Sequence, residues 1–121
     1  MILTFSKQQF VDRIISGVKI HTIREDKTDR WKEGTKIHFW KGNPRNVKLK
    51  PYPFGESICT KVVDIRIDLW RDSVYADDHF LNLKELAVND GFNNWVEMKS
   101  WFRQQGFEFF FEGKLIYFDK P

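Results

Sequence analysis

The sequence predicts an α+β fold: a small, mostly antiparallel β-barrel with flanking helices. Three observations lead there. A chain of 121 residues and 14.6 kDa has room for one core and not for two. Strand-like and helical stretches are interspersed, but strand–helix–strand units are too few to build a parallel sheet. One long stretch, Ser57 to Leu69, alternates apolar and charged residues as a half-buried strand does, with Ile58, Val63, Ile65, Ile67 and Leu69 apolar and Asp64, Arg66 and Asp68 facing away.

Each element follows in order. Met1 to Phe5 reads as a short strand. Ser6 is placed to cap a helix on which Phe10, Val11, Ile14, Ile15 and Val18 recur at helical spacing. Gly17 can end that helix in a left-handed conformation. Ile20 to Arg24 is rich in β-branched residues and predicts a second strand. Glu25 to Gly34 is a charged turn anchored by Trp31, and Thr35 to Lys41 predicts a third strand. Gly42 to Gly55 carries three prolines with Arg45, Lys48 and Lys50, and reads as a long surface loop. After the long strand, Leu83 to Asn89 predicts a short helix closed by Asp90-Gly91. Asn93 or Asn94 then caps a helix to about Gln105, with Trp95, Met98, Trp101 and Phe102 on its buried face. Leu115 to Phe118 is the last strand.

Composition excludes several classes of protein. Hydrophobic residues are 41% and charged residues 31%, the balance of a folded chain. Cys59 is the only cysteine, so an intrachain disulfide and a cysteine-based zinc site are ruled out; it reads as a small buried hydrophobe. No apolar run is long enough to span a membrane, and the first residues do not have the layout of a signal peptide. A reducing cytoplasm is the expected compartment, with no membrane association. Aromatic residues make up 17%: 12 Phe, 5 Trp and 3 Tyr, enough to fill a core and leave some for a pocket wall or surface. Residues 1–60 hold 12 basic against 6 acidic side chains, and residues 61–121 hold 8 against 11, which points to a basic face built by the first half.

Signatures for nucleotide-binding loops, nucleophile elbows and metalloproteases are absent. His21, His38 and His79 are scattered; His21 and His38 can meet across neighbouring strands, but a catalytic zinc needs three protein ligands, so no metal and no cofactor is expected.

The chemistry concentrates between Lys19 and Asp26, where a helix ends and a strand begins. A lysine near an arginine can lose basicity, through like charge or burial, and serve as a base. Thr22 can act as nucleophile or as a ligand to a substrate oxygen, and the planar fork of Arg24 can hold a carbonyl, phosphate or carboxylate. His21 and Glu25 lie in the same stretch. In a regular strand Lys19 and Thr22 point to opposite faces, so they converge only if Lys19 belongs to the turn and the strand starts near Ile20. The alternative is a strand edge carrying charge against aggregation. Asp90, before Gly91, reads as helix punctuation or as a carboxylate that reaches into a pocket to hold a lysine or an amino group. A third set, Arg30, Trp31, Lys32, Lys36, Trp40, Lys41, Arg45, Lys48 and Lys50, interleaves cations with rings, as single-stranded nucleic acid requires; a solvated loop with Trp31 and Trp40 in the core is the other reading.

These residues carry a resemblance. The helix followed by Gly17-x-Lys19-x-x-Thr22-x-Arg24, the stretch Trp31-Lys32-x-Gly34-x-Lys36-Ile37, Leu86-Ala87 with Asp90-Gly91-Phe92, and Gly113-x-Leu115-Ile116 resemble the ASCH domain family of PUA-like β-barrels over most of the chain. The resemblance implies that residues 1–121 form one ASCH domain with a cleft between barrel and helices, which binds RNA or a nucleotide-like ligand. Lys19, Thr22, Arg24 and Asp90 would line that cleft. His21, Glu25 and Trp40 would join the ligand site, and Arg45, Lys48 and Lys50 would extend it along phosphates. One branch of the family, small bacterial amidohydrolases, removes the acetyl group from N4-acetylcytidine with a lysine, a threonine and a glutamate. The alternative function is therefore a metal-independent amidohydrolase on an acylated nucleoside, with Lys19, Thr22 and Asp90 as the catalytic group. The chain differs from that branch in carrying aspartate at 90, and the loop from Gly42 to Gly55 looks like an addition.

Overall fold

The computed structural model describes residues 1–121. Apolar residues recurring at a period of two or 3.6 build seven strands and three helices: β1 (Ile2–Phe5), α1 (Gln8–Ser16), β2 (His21–Arg24), β3 (Lys36–Lys41), β4 (Tyr52–Asp68), β5 (Ser73–Ala76), β6 (His79–Phe80), α2 (Leu83–Asn89), α3 (Trp95–Gln104) and β7 (Phe110–Phe118). A 3-10 turn spans Val47–Leu49.

The strands form one mixed sheet. Its main path runs β1-β3-β4-β5-β6, with β7 paired to β4 and β2 paired to β7. Only the β1–β3 pair is parallel; the others are antiparallel. β4 is the spine, because its 17 residues pair with β3, β5 and β7 in turn. The sheet is not closed into a barrel: β1, β2 and β6 are its free edges, and β1 and β2, on either side of the α1 connection, do not pair. One side-chain bond bridges them, from Arg24 Nη to the Thr4 carbonyl at 2.9 Å.

A cluster of 22 buried hydrophobic residues running from Leu3 to Phe118 fills the space between sheet and helices. Alternation along β4 holds where expected, with Ile65 and Ile67 buried and Asp64 and Arg66 outside. Ile58 departs from it and is exposed, while Cys59 is buried; a register shift between Cys59 and Lys61 follows directly.

Several boundaries differ from the sequence reading. Ser6 does not cap α1: Lys7 occupies the N-cap position, with no side-chain bond to the first turn. Ile15 and Val18 lie on the exposed side, and only Phe10, Val11 and Ile14 of that spacing are buried. The surface loop after Gly42 is shorter than predicted, because Tyr52 to Gly55 belongs to β4. Pro53 is tolerated there beside a register shift between Phe39 and Trp40. The β5–β6 hairpin is an element that the sequence pattern does not reveal. Gly17 caps α1 at φ 85°, as expected, and Asn94 caps α3, accepting a hydrogen bond from the Glu97 N–H at 2.8 Å.

Candidate active site

The cleft lies between the unpaired edges of β1 and β2. β1 and the residue after it supply Thr4, Phe5 and Ser6, β2 supplies Thr22, Ile23 and Arg24, and the helices close the other side through Phe10, Trp101 and Phe102. Its volume is about 280 Å³, near the lower end of small-molecule sites.

Local tethers bring its polar residues together. Gly17 turns the chain out of α1, and the Lys19 N–H returns to the Arg13 carbonyl at 2.9 Å. Lys19 therefore sits in the turn, and β2 starts at His21, the condition that lets Lys19 and Thr22 share a cleft. The Ile20 N–H donates to the Asn89 carbonyl at 2.8 Å, joining the start of β2 to the end of α2. From α1, Arg13 and Gln9 both donate to the Gly91 carbonyl, at 2.6 and 2.9 Å, and hold the Asp90–Gly91 turn in place.

Four polar residues are fully buried in the chain, and all are here: Lys19, His21, Thr22 and Asp90, at 2, 1, 4 and 5% exposure. Buried polar groups need partners. The Lys19 ammonium donates to the Asp90 main-chain carbonyl and lies 3.4 Å from Asp90 Oδ1. The same Oδ1 is 2.9 Å from His21 Nδ1, and as a carboxylate only accepts, Nδ1 carries the proton and donates. The rings of Phe5 and Phe10 flank the ammonium at 5.6 and 5.1 Å. Burial pushes the Lys19 pKa down to about 8, opposed by the charge of Asp90 and reinforced by Arg24. Burial also lowers Arg24, with Asp90 pulling it back up. Arg24 stacks on Phe5 with its guanidinium carbon 5.0 Å from the ring centre. Its Nε is the one buried side-chain polar atom left without a partner. Thr22 and Arg24 share a strand face by alternation, and the Thr22 hydroxyl stands outside the Lys19–Asp90–His21 group.

The structure thus brings Lys19, Thr22, Arg24 and Asp90 to one cleft and leaves the other candidates elsewhere. His21 does not line it; it supports Asp90 from behind and packs edge-on against Tyr117 at 5.1 Å. Glu25 is exposed and faces a wider concavity of about 720 Å³ on the sheet, crowded with carboxylates around Lys114. That larger hollow contains no buried polar residue, so the chemistry belongs to the smaller cleft. Trp40 is half-buried on β3, and Arg45, Lys48 and Lys50 are exposed on the loop; none of the four lines the cleft. No group of three or more His, Cys, Asp or Glu side chains is arranged to hold a metal ion.

The aromatic wall was missed as part of the site. Phe10 meets Phe92 at 5.2 Å and Trp101 at 5.5 Å, edge to face, and all three line the cleft. The helical spacing marks Phe10 and Trp101 as inward-facing, and nothing in the sequence separates a core aromatic from a pocket wall.

No protein-family model matches the chain, and no curated protein or solved structure matches it.

Proposed function

We propose that the chain is an ASCH-type, PUA-like domain that takes an acylated nucleoside into this cleft and hydrolyses the amide on its base. On this reading the open sheet is a barrel whose seam, between β1 and β2, forms the ligand site. The observation that carries the proposal is Lys19: a lysine held between two phenyl rings, with its pKa near 8, in the same small cleft as a threonine hydroxyl and an arginine. A lysine with that pKa is neutral in roughly a tenth of molecules at neutral pH, against well under one in a thousand for an ordinary lysine.

The chemistry follows from those positions. Neutral Lys19 takes the proton of the Thr22 hydroxyl, or of a water that Thr22 orients, as the oxygen adds to the acyl carbon. Arg24 and backbone N–H groups stabilise the negative charge that develops on the carbonyl oxygen. The C–N bond breaks and Lys19 returns the proton to the leaving amine. Where Thr22 is the nucleophile, water then opens the threonyl ester. The balance is one water consumed, and one amine, one carboxylate and one proton released. Asp90, through its carbonyl and carboxylate, anchors the Lys19 ammonium in the cleft that Thr22 also lines. The aromatic wall suits a planar base.

The experiment is incubation with N4-acetylcytidine and detection of cytidine by mass spectrometry, with Lys19→Ala and Thr22→Ala alongside. Turnover by the parent chain, lost in Lys19→Ala, is the expected result. Turnover that survives Lys19→Ala removes this mechanism. A cleft that binds the nucleoside without turnover returns the chain to the other reading, an RNA- or nucleotide-binding domain. That second reading is favoured by one observation, the exposed cations Arg45, Lys48 and Lys50 on a loop without acidic residues.

A further inference from the structure

Arg24 carries the one buried side-chain nitrogen or oxygen without a hydrogen-bond partner. Its guanidinium carries five N–H bonds. One nitrogen donates to the Thr4 carbonyl, and a face rests on Phe5. The Nε is shut off from solvent with no acceptor. No carboxylate lies within ion-pair distance of Arg24. Asp90, the only acidic residue lining the cleft, is already engaged by Lys19 and His21. Two cations, Lys19 and Arg24, thus face a cleft whose only carboxylate is shared.

The other terminal nitrogen, Nη1, has no protein acceptor either and is not shut off, so it is the donor a ligand in the cleft can reach, and a guanidinium already largely stripped of water costs little further desolvation to pair. The group that answers a guanidinium fork is planar, carries two oxygens and has a negative charge: a carboxylate. The cleft is small, and Phe5, Ile23 and Phe102 give it apolar walls, so the carboxylate must be borne on a short chain.

We propose that the cleft contains a carboxylate subsite built on Arg24, which holds the short-chain carboxylate released when an N-acyl group is hydrolysed. The identity of the carboxylate as a product rests on the function proposed above; the subsite itself rests on the unpaired guanidinium. The amide oxygen of the substrate approaches the same donors, and product release then requires the anion to leave them. Acetate therefore acts as a product inhibitor that competes with the acyl group.

The test is titration of the full chain with sodium acetate, followed by backbone amide NMR at matched ionic strength, with acetamide as a neutral probe of the same shape. Acetate should shift the amides of Thr22, Ile23 and Arg24, and acetamide should bind about tenfold more weakly, the loss expected when a charge-assisted hydrogen bond becomes a neutral one. Arg24→Gln should lose acetate binding, and Arg24→Lys, which keeps the charge without the fork, should restore only part of it. The comparison of acetate with acetamide needs no variant, so it stands even if Arg24→Gln does not fold. Absence of cleft shifts, equal affinity for the two probes, or shifts confined to the loop around Arg45, Lys48 and Lys50 overturns the subsite. Hydrolysis of N4-acetylcytidine without acetate binding removes this inference alone. Acetate binding without hydrolysis removes the proposed reaction and leaves the subsite.

Discussion

The stem of Lys19 occupies the space where a side chain at Gly91 would begin. A Cβ at Gly91 would lie 2.8 Å from Lys19 Cδ and 3.1 Å from the Phe10 ring, and Gly91 has a left-handed φ of 94°. The turn that ends α2 and the lysine that follows α1 are thus fitted to one another. Gly91→Ala is expected to destabilise the fold by more than about 1 kcal/mol, since it combines an unfavourable φ with a steric contact. It should also displace the ammonium and lower affinity for any cleft ligand. Urea denaturation and a binding titration check the two effects; an alanine tolerated in both would mean that the packing is looser than described.

The lowered pKa of Lys19 is also a statement about stability. Its folded-state value of about 8 lies below the ordinary 10.5, because burial penalises the ammonium more than Asp90 supports it. Between those values the unfolded chain binds more protons than the folded one, so stability rises with pH across that window. The shift corresponds to about 3 kcal/mol. Lys19→Met removes this contribution. The stability difference between parent and variant should move by that amount in favour of the parent as pH rises from 7 to above 10. Denaturation midpoints at a series of pH values give the answer, and parallel curves would contradict the buried ammonium.

Asp90 supports that ammonium by charge and by hydrogen bonding. Asp90→Asn withdraws the charge, so the Lys19 pKa should fall further. If the cleft carries out the proposed hydrolysis, kcat/KM should rise with pH about a centre near 8 in the parent and about a lower centre in the variant, whatever happens to the maximal rate. A rise that stays where it was would mean that the titrating base is not Lys19.

Part of this arrangement is legible in the chain itself. Gly17 as a left-handed cap and a strand starting near Ile20 together put Lys19 in a turn, from which it can reach the Thr22 face. The engagement of Asp90 is not legible, because it joins residues 71 positions apart and depends on Gln9 and Arg13 holding the Gly91 carbonyl. Aspartate reaches Lys19 despite its short side chain because its main-chain carbonyl shares the work. The unpredicted β5–β6 hairpin has a plain cause. Its two-residue turn, Asp77-Asp78, takes positive φ at both positions, 52° and 63°, without the glycine that signals such a turn. Pro51 and Pro53 make Tyr52 to Gly55 look like loop in the sequence, yet an adjacent register shift accommodates Pro53 in the strand.

The loop carrying Arg45, Lys48 and Lys50 stands apart from the cleft. If single-stranded RNA runs across it, replacing all three by glutamine weakens RNA binding and lowers the slope of log affinity against log salt by about 2, at about 0.7 per phosphate contact. An unchanged slope takes the loop out of any RNA contact.

Cys59 is buried beside the register shift in β4, and burial raises its thiol pKa. The thiolate is the reactive form, so a thiol reagent should label Cys59 only as the chain unfolds. Labelling in urea should follow the unfolding transition seen by tryptophan fluorescence. Rapid labelling of the native chain would show that β4 opens locally at that point.

The most direct measurement of the central claim is a titration of Lys19 itself, by NMR of the lysine side-chain carbons next to the ammonium, with Lys19→Met to assign the signal. One lysine is expected to titrate with an apparent pKa of about 8, and its signal is expected to be absent from the variant. A Lys19 signal that titrates near the ordinary lysine value of about 10.4 would contradict the buried, weakened ammonium and leave the proposed hydrolysis without a base.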